Sequence, residues 1–350
     1  MLAIGMDVHS SMSTAFAVPL DVSNEIEKEF CEEFNRTFTK FPSTRTGMRK
    51  VSDFLEKKDH CILIENSTKT HELYWIMDEV GLSVMVAYST DLFRITKSVK
   101  KTDAHDSQEL AHYMRRRLMG ENEFSECLIV DRVWMNRRQL CRLYAQESEM
   151  LSDTRRQLRS YMLLRGISPK MITRDVASLT SLAVLERGAD ESLAILVSRA
   201  RDMQARLNLC RKAIKKEFER DENYLILMTI PGFGEVISGY ISAMVVNIDR
   251  FDNSSQFAAY IGIVPKQRES ADSAPSCGIT RHGDQVARDM IKQATHVHIV
   301  NDKSRSSPIT KKYDSLRARG FPHKKALTAA ANKMSRLVFS MLKNRKDYKI

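Results

Sequence analysis

The chain is short of the residues that interrupt regular structure. Glycine and proline together number 21 in 350 residues, about half the usual share. This excludes collagen-like, low-complexity and disordered chains and predicts a large helical content. No uninterrupted apolar run reaches the roughly 18 residues of a spanning helix, so the sequence predicts no membrane anchor. It also lacks a basic stretch ahead of an apolar one at the N-terminus, where Asp7 and His9 intervene; no signal peptide is predicted. The six cysteines (31, 61, 127, 141, 210 and 277) form no CxxC pair, which argues against a zinc site and fits reduced thiols in a cytoplasmic protein. Negative charge is the scarcer sign. There are 44 Asp and Glu against 55 Lys and Arg, a formal net charge of +11. Such an excess favours a polyanionic partner, nucleic acid ahead of an acidic membrane surface.

Apolar patterning divides what remains into three parts. Residues 2–9 read as an apolar strand carrying one acid, and 13–18 as a second strand, close enough for a hairpin. Phe30, Phe34, Phe38 and Phe41 fit either a helical or a strand period; the favoured reading is a third strand at 35–41. Ser43 or Thr44 then caps a helix to about residue 57. Strands at 61–64 and 82–87 alternate with helices at 70–80, 90–99 and 103–118. A hairpin followed by parallel strands and helices predicts an RNase H-like α/β fold over residues 1–125. Residues 126–224 change character. Between 131 and 220 there are 19 basic and 11 acidic residues, with long helices at 134–163 and 193–218 forming a helical hairpin or coiled coil. Residues 225–350 form a third, mainly helical region. The sequence IPGFG at 230–234 joins two helices in a helix-hairpin-helix, and Gly232 and Gly234 would let backbone amides approach a phosphate. Further helices are predicted at 254–262, 284–300 and 324–343. From residue 303 onward 14 basic residues face only Asp314 and Asp347, a basic tail suited to nucleic acid.

Four acids stand where a catalytic site would use them. Asp7 lies inside an apolar strand, Glu65 directly follows another, and Asp103 and Asp106 share one face of a helix start. A carboxylate on an apolar strand is costly unless a cation or hydrogen bonds compensate it. Acids gathered at strand ends can hold one or two Mg²⁺ ions against a phosphodiester. Taken singly, Glu65 and Asp103 read as ordinary surface or helix-start acids; the ordered set in an RNase H-like pattern is more specific.

These motifs resemble the IS110-type transposases. IGMDVH at 4–9 is similar to their opening GIDVHK. Ile64 and Glu65, with Thr68 and His71 following, resemble an E-x-T strand end. KTDAHD at 101–106 followed by Leu110 and Ala111 is similar to KTDxxDAxxLA. Further on, IPGFG at 230–234, Arg250 and Phe251, YIGIVP at 260–265 and GITRHG at 278–283 stand in the family's order. The resemblance covers residues 2–118 and 225–300, and the pilin-gene DNA invertases belong to the same group.

The resemblance implies a RuvC-like domain in which Asp7, Glu65, Asp103 and Asp106 bind two Mg²⁺ ions, a coiled-coil linker and a C-terminal transposase domain. It also implies a serine nucleophile between the GxxP and GxItkrG elements. Spacing within that loop places it on Ser270, with Glu269 and Ala271 standing where the family has Ser and Gly; Ser273 and Ser276 are the neighbouring candidates. Lys100, Lys101, Lys266, Arg268, Arg281 and His282 would join Gly232 and Gly234 in binding nucleic acid. The implied partners are DNA, a structured guide RNA from the element's non-coding end, and further copies of the chain in a dimer or tetramer, with the serine of one subunit meeting the acids of another. Inversion within the same family, a RuvC-like nuclease that uses water as nucleophile, and a binding scaffold with structural acids are the alternatives.

Overall fold

The computed structural model describes residues 1–56, 58–92, 102–121, 123–168, 175–264 and 283–349. The chain divides into two compact units, Met1–Asp131 and Arg132–Ile350. The first is mixed α/β, and the elements of the second are all helices among its described residues.

The first unit is built on five strands, β1 (Leu2–Val8), β2 (Met12–Pro19), β3 (Phe41–Pro42), β4 (His60–Glu65) and β5 (Val84–Ala87), in the order β3-β2-β1-β4-β5. β1 runs antiparallel to β2, with Leu2 opposite Pro19 and Val8 opposite Ser13. β4 lies parallel to β1, with Met6 opposite Ile64, and β5 lies parallel to β4. The hairpin and the parallel strands therefore stand as the sequence predicts, and the order is compatible with an RNase H-like sheet. Side chains alternate across the sheet. Leu2, Ile4, Met6, Ile62 and Ile64 bury one face against α1 (Glu25–Thr37), α2 (Arg45–Leu55) and α3 (Thr70–Glu79). Ala3, Cys61 and Leu63 bury the other against Leu110, Tyr113 and Met114 of α4 (Asp103–Leu118). Burial on both faces is why β1 and β4 read as nearly continuous apolar runs rather than as alternating ones.

One sequence expectation is overturned. The stretch assigned to a third strand at 35–41 is the end of α1, and β3 is a two-residue pairing with Met12 and Ser13. The helix wins because Asn24 caps it by accepting a hydrogen bond from the Glu27 amide, and Glu25 and Glu27 in its first turn suit the helix dipole. Phe30, Phe34 and Phe38 then fall on one helical face and meet Phe54 of α2. The helix expected at 90–99 lies mostly outside the described residues; Ser89–Asp91 form a single 3-10 turn.

In the second unit α5 (Arg132–Leu164) and α7 (Glu191–Phe218) pack along one another through Leu151, Leu158, Met162, Leu193, Val197 and Met203. The short α6 (Leu179–Glu186) lies against their far end through Leu182 and Leu185. A second core joins α8 (Glu222–Met228), α9 (Glu235–Val245), α10 (Ser254–Ile261), α11 (Gln285–Asn301), α12 (Pro308–Ala318) and α13 (His323–Asn344). The basic C-terminal segment is folded into this core: Ile309 of α12 and Ala330, Met334, Val338 and Leu342 of α13 are buried there. The sequence reading had no helix at α12, although Ser307 caps it and Pro308 opens it, a combination that favours a helix start. Among the described residues no helix is long and apolar enough to cross a membrane.

Candidate active site at the end of the sheet

The register of β1 and β4 decides where the acids go. Met6 pairs with Ile64, so Asp7 and Glu65 are the next residues on two adjacent parallel strands. By alternation Asp7 shares the face of Ala3 and Gly5, and Glu65 the face of Cys61 and Leu63. Both therefore point to the side that α4 covers. Gly5 lets α4 come that close. A Cβ on Gly5 would lie 2.1 Å from the Ser107 carbonyl oxygen and 2.2 Å from the Ala111 nitrogen, distances that only a bare Cα permits. Thr102 caps α4 by accepting from the His105 amide at 3.2 Å. The cap fixes the first turn, where Asp103 and Asp106 project and complement the helix dipole.

The charges converge. His9 Nε2 lies 3.2 Å from Asp7 Oδ2 and 3.3 Å from Asp103 Oδ1. Donor atoms of Asp7, His9 and Asp103 all fall within 4.8 Å of one another. Glu65 and Asp106 lie outside this trio, yet their charges still act on Asp7. Burial raises the Asp7 carboxyl above its ordinary range, His9 opposes that rise, and Asp103, Asp106 and Glu65 add to it. The negative charge of Asp7 in turn raises the His9 imidazole, helped by the hydrogen bond to Asp103. A half-buried carboxylate among three like charges is disfavoured when ionised and alone. A cation relieves it, and in the metal-free protein His9 takes part of that role. Carboxylate oxygens such as those of Asp7 and Asp103 are donors that suit a hard divalent ion, Mg²⁺ or Mn²⁺.

His9 and Gly5 were absent from the predicted site. His9 was legible, being two residues beyond Asp7 on an extended strand and so on the same face. Gly5 was not, because its role depends on a helix that packs against it about 100 residues later.

The second unit places the remaining predicted residues differently. Gly232 has φ of +101°, and a Cβ there would lie 2.4 Å from the Ala294 carbonyl oxygen on α11. Its bare Cα thus serves packing between the α8–α9 turn and α11. Gly234 precedes α9 and borders a groove of about 1040 Å³ lined by α5, α7, α9 and α11 residues, including Tyr144, Arg211, Glu235 and Asp289. Lys100, Lys101, Lys266, Arg268, Ser270, Arg281 and His282 lie outside the described residues, as do Ser273 and Ser276. The two ends of the segment that holds Ser270 do meet. A Cβ on Gly283 would lie 2.7 Å from the Gly262 nitrogen. The buried Arg288 donates to the Gly262 carbonyl at 3.2 Å, and Asn332 to that of Ile263 at 3.0 Å. Tyr240 holds Asp284, the cap of α11, from the other side at 3.1 Å. The described residues on either side of that segment are therefore braced between α10 and α11.

An α/β unit with carboxylates gathered at one end of its sheet, in one chain with a helical unit, is compatible with an RNase H-like class of protein rather than with one protein alone. The comparisons narrow it. Residues 224–315 match the model of the Transposase IS116/IS110/IS902 family. The chain is 22% identical to a probable family 20 transposase of Pseudomonas aeruginosa over 86% of its own length and 89% of the relative. It is also 22% identical to the transposase for insertion sequence element IS1111A of Coxiella burnetii, over 85% of this chain and 82% of that one. With the transposase for insertion sequence element IS1328 of Yersinia enterocolitica it shares 23% identity over 52% of this chain and 55% of the relative. The resemblance drawn from sequence motifs holds: the similarity is to IS110-type transposases and extends through both units.

Proposed function

We propose that the protein is a DNA transposase of IS110 type, which cuts and rejoins DNA strands with the acid cluster of its RuvC-like first unit. The observation that supports this most is the convergence of Asp7, Glu65, Asp103 and Asp106, from two adjacent strand ends and one helix start, on a single face of the sheet. Asp7, Glu65, Asp103 and Asp106 would hold Mg²⁺, and the bound ions would neutralise charge on the scissile phosphate and polarise the attacking oxygen. His9 bridges Asp7 and Asp103, the two acids that it would share with a bound ion. Ser270 supplies the attacking hydroxyl. Its Oγ–P bond forms as the phosphodiester P–O bond to the departing strand breaks, the serine proton leaves to solvent, and the departing strand ends in a free hydroxyl. Reversal with a different strand's hydroxyl completes exchange. The basic residues of the second unit bind the backbone of DNA and of a guide RNA, and subunits pair so that the serine of one serves the acids of another.

The test uses a supercoiled plasmid carrying the DNA that flanks the gene, with Mg²⁺ and RNA transcribed from the same flank. Asp7→Asn and Asp106→Asn should each abolish strand cleavage while DNA binding stays within about threefold, because an acid that acts only on the reacting phosphate contributes little to backbone binding. Equal loss of both would mark the acids as structural. Wild-type protein trapped in reaction should carry a denaturant-resistant DNA adduct that Ser270→Ala removes and Ser273→Ala leaves. Cleavage without any adduct would instead identify the water-using nuclease.

A further inference from the structure

Outside the acid cluster, aromatic rings and positive charge coincide at one corner of the second unit, where α11, α12 and α13 meet. His323, the first residue of α13, stands edge-on to two rings. Its centroid is 5.7 Å from that of His296 on α11 and 5.8 Å from that of Tyr313 on α12. The Tyr313 hydroxyl and His323 Nδ1 share a hydrogen bond of 2.7 Å. His296 and His323 are exposed and Tyr313 is half-buried. Phe321, in the turn between α12 and α13, is 37% exposed, and among the described residues only Tyr88 joins it as an exposed aromatic among the large hydrophobics. The Arg319 guanidinium lies 5.3 Å from the Phe321 ring centroid.

The charge around these rings is nearly all of one sign. Between residues 303 and 325 there are eight Lys and Arg and one acid, Asp314, which Arg305 engages. Lys311, Lys312, Arg317, Arg319, Lys324 and Lys325 are all exposed. An exposed aromatic group costs hydration free energy that packing normally recovers. Here His296 and His323 meet at the surface beside the half-buried Tyr313, Phe321 stands two residues before His323 under the Arg319 guanidinium, and exposed cations flank them along the chain. Unpaired nucleotides complement both features, since each offers a π-face for stacking and a phosphate for the cations. A duplex offers only its backbone, because its bases are already stacked.

We propose that His296, Tyr313, Phe321 and His323 form a stacking platform for unpaired bases of single-stranded DNA, with the surrounding Lys and Arg residues tracking its phosphates. The assignment to DNA rests on the proposed strand exchange, which frees a single strand at each cut; the platform itself does not depend on the acids being catalytic. The aromatic rings should set the preference for single strands, and the cations should set affinity for any nucleic acid.

The experiment measures binding of the full chain to a fluorescein-labelled oligothymidine, to the matching oligouridine, and to a blunt DNA duplex at one salt concentration. Phe321→Ala and His323→Ala should each weaken oligothymidine binding about fivefold or more, as loss of a stacked base does, and leave duplex binding within twofold. The aromatic replacements Phe321→Trp and His323→Phe should restore it, which a merely structural role would not explain. Lys311→Gln with Lys312→Gln should weaken all three probes and flatten their salt dependence. Asp7→Asn should bind oligothymidine like wild type, so failure of the platform and failure of the acid site are separable. Unchanged oligothymidine binding in both alanine variants, with melting temperatures retained, overturns the platform; so does an equal fall for duplex and single strand. Tighter binding of oligouridine than of oligothymidine overturns the assignment to DNA.

Discussion

The two units of the chain place charge in opposite ways. The first gathers its acids into one spot: Asp7 and Glu65 follow the apolar runs Leu2–Met6 and Cys61–Ile64 near the ends of β1 and β4. The second distributes charge along helices whose other faces are buried, as with the exposed Arg142 of α5 and Arg199, Arg206 and Lys212 of α7. A sheet fixes neighbouring side chains through register, so it can hold like charges together against their repulsion. Packed helices set basic side chains out along their length, as an extended polyanion requires. Chemistry at one phosphate calls for the first arrangement, and grip along many phosphates calls for the second.

The largest effect that would break this contrast is at Gly5. Gly5→Val drives its side chain into the backbone of α4 and should destabilise the first unit by about 3 kcal/mol or more, the upper end of overpacking costs. The two tryptophans make the consequence readable, since Trp75 lies in the first unit and Trp134 in the second. In denaturant titrations of single-tryptophan variants, the Trp75 transition should shift strongly and the Trp134 transition should not. A shared shift would mean that the units unfold as one.

A smaller effect is expected at Gly232. Gly232→Ala combines a positive φ with a Cβ 2.4 Å from the Ala294 carbonyl oxygen and should cost about 1–3 kcal/mol in the second unit alone. Unchanged stability would return the α8–α9 turn to a role in phosphate contact only.

How far the sequence revealed this depended on range. Asp7, Glu65, Asp103 and Asp106 were legible because strand ends and a helix start announce themselves within a few residues. The β1–β2 hairpin was legible for the same reason. The α1 helix was misread because Phe30, Phe34, Phe38 and Phe41 satisfy two periods at once, and only packing against Phe54 selects one. Gly5 and Gly232 each face a partner helix more than 60 residues away, and no local pattern encodes such a contact. The exposed rings around His323 come from three helices and were invisible for the same reason.

The gentlest probe of the contrast is titration of His9 in metal-free protein. Its imidazole is raised by Asp7 and Asp103, so its NMR midpoint should lie above the ordinary value of about 6.5. Asp7→Asn should lower it. The sign follows from linkage: a raised imidazole stabilises the folded state below the unfolded midpoint, and that contribution is lost as pH rises through the folded one. A midpoint at or below the ordinary value would mean that the His9–Asp7–Asp103 contact does not persist in solution.

The central claim is that the acid cluster is a divalent-metal site, and manganese tests it directly. Mn²⁺ titrated into the full chain, labelled in its nine histidines, broadens resonances near any bound ion. The account predicts that His9 and the nearby His105 broaden first, and that Asp7→Asn combined with Asp103→Asn removes this selectivity. Broadening that begins at the histidines of the second unit, or that is unchanged in the double variant, would contradict it.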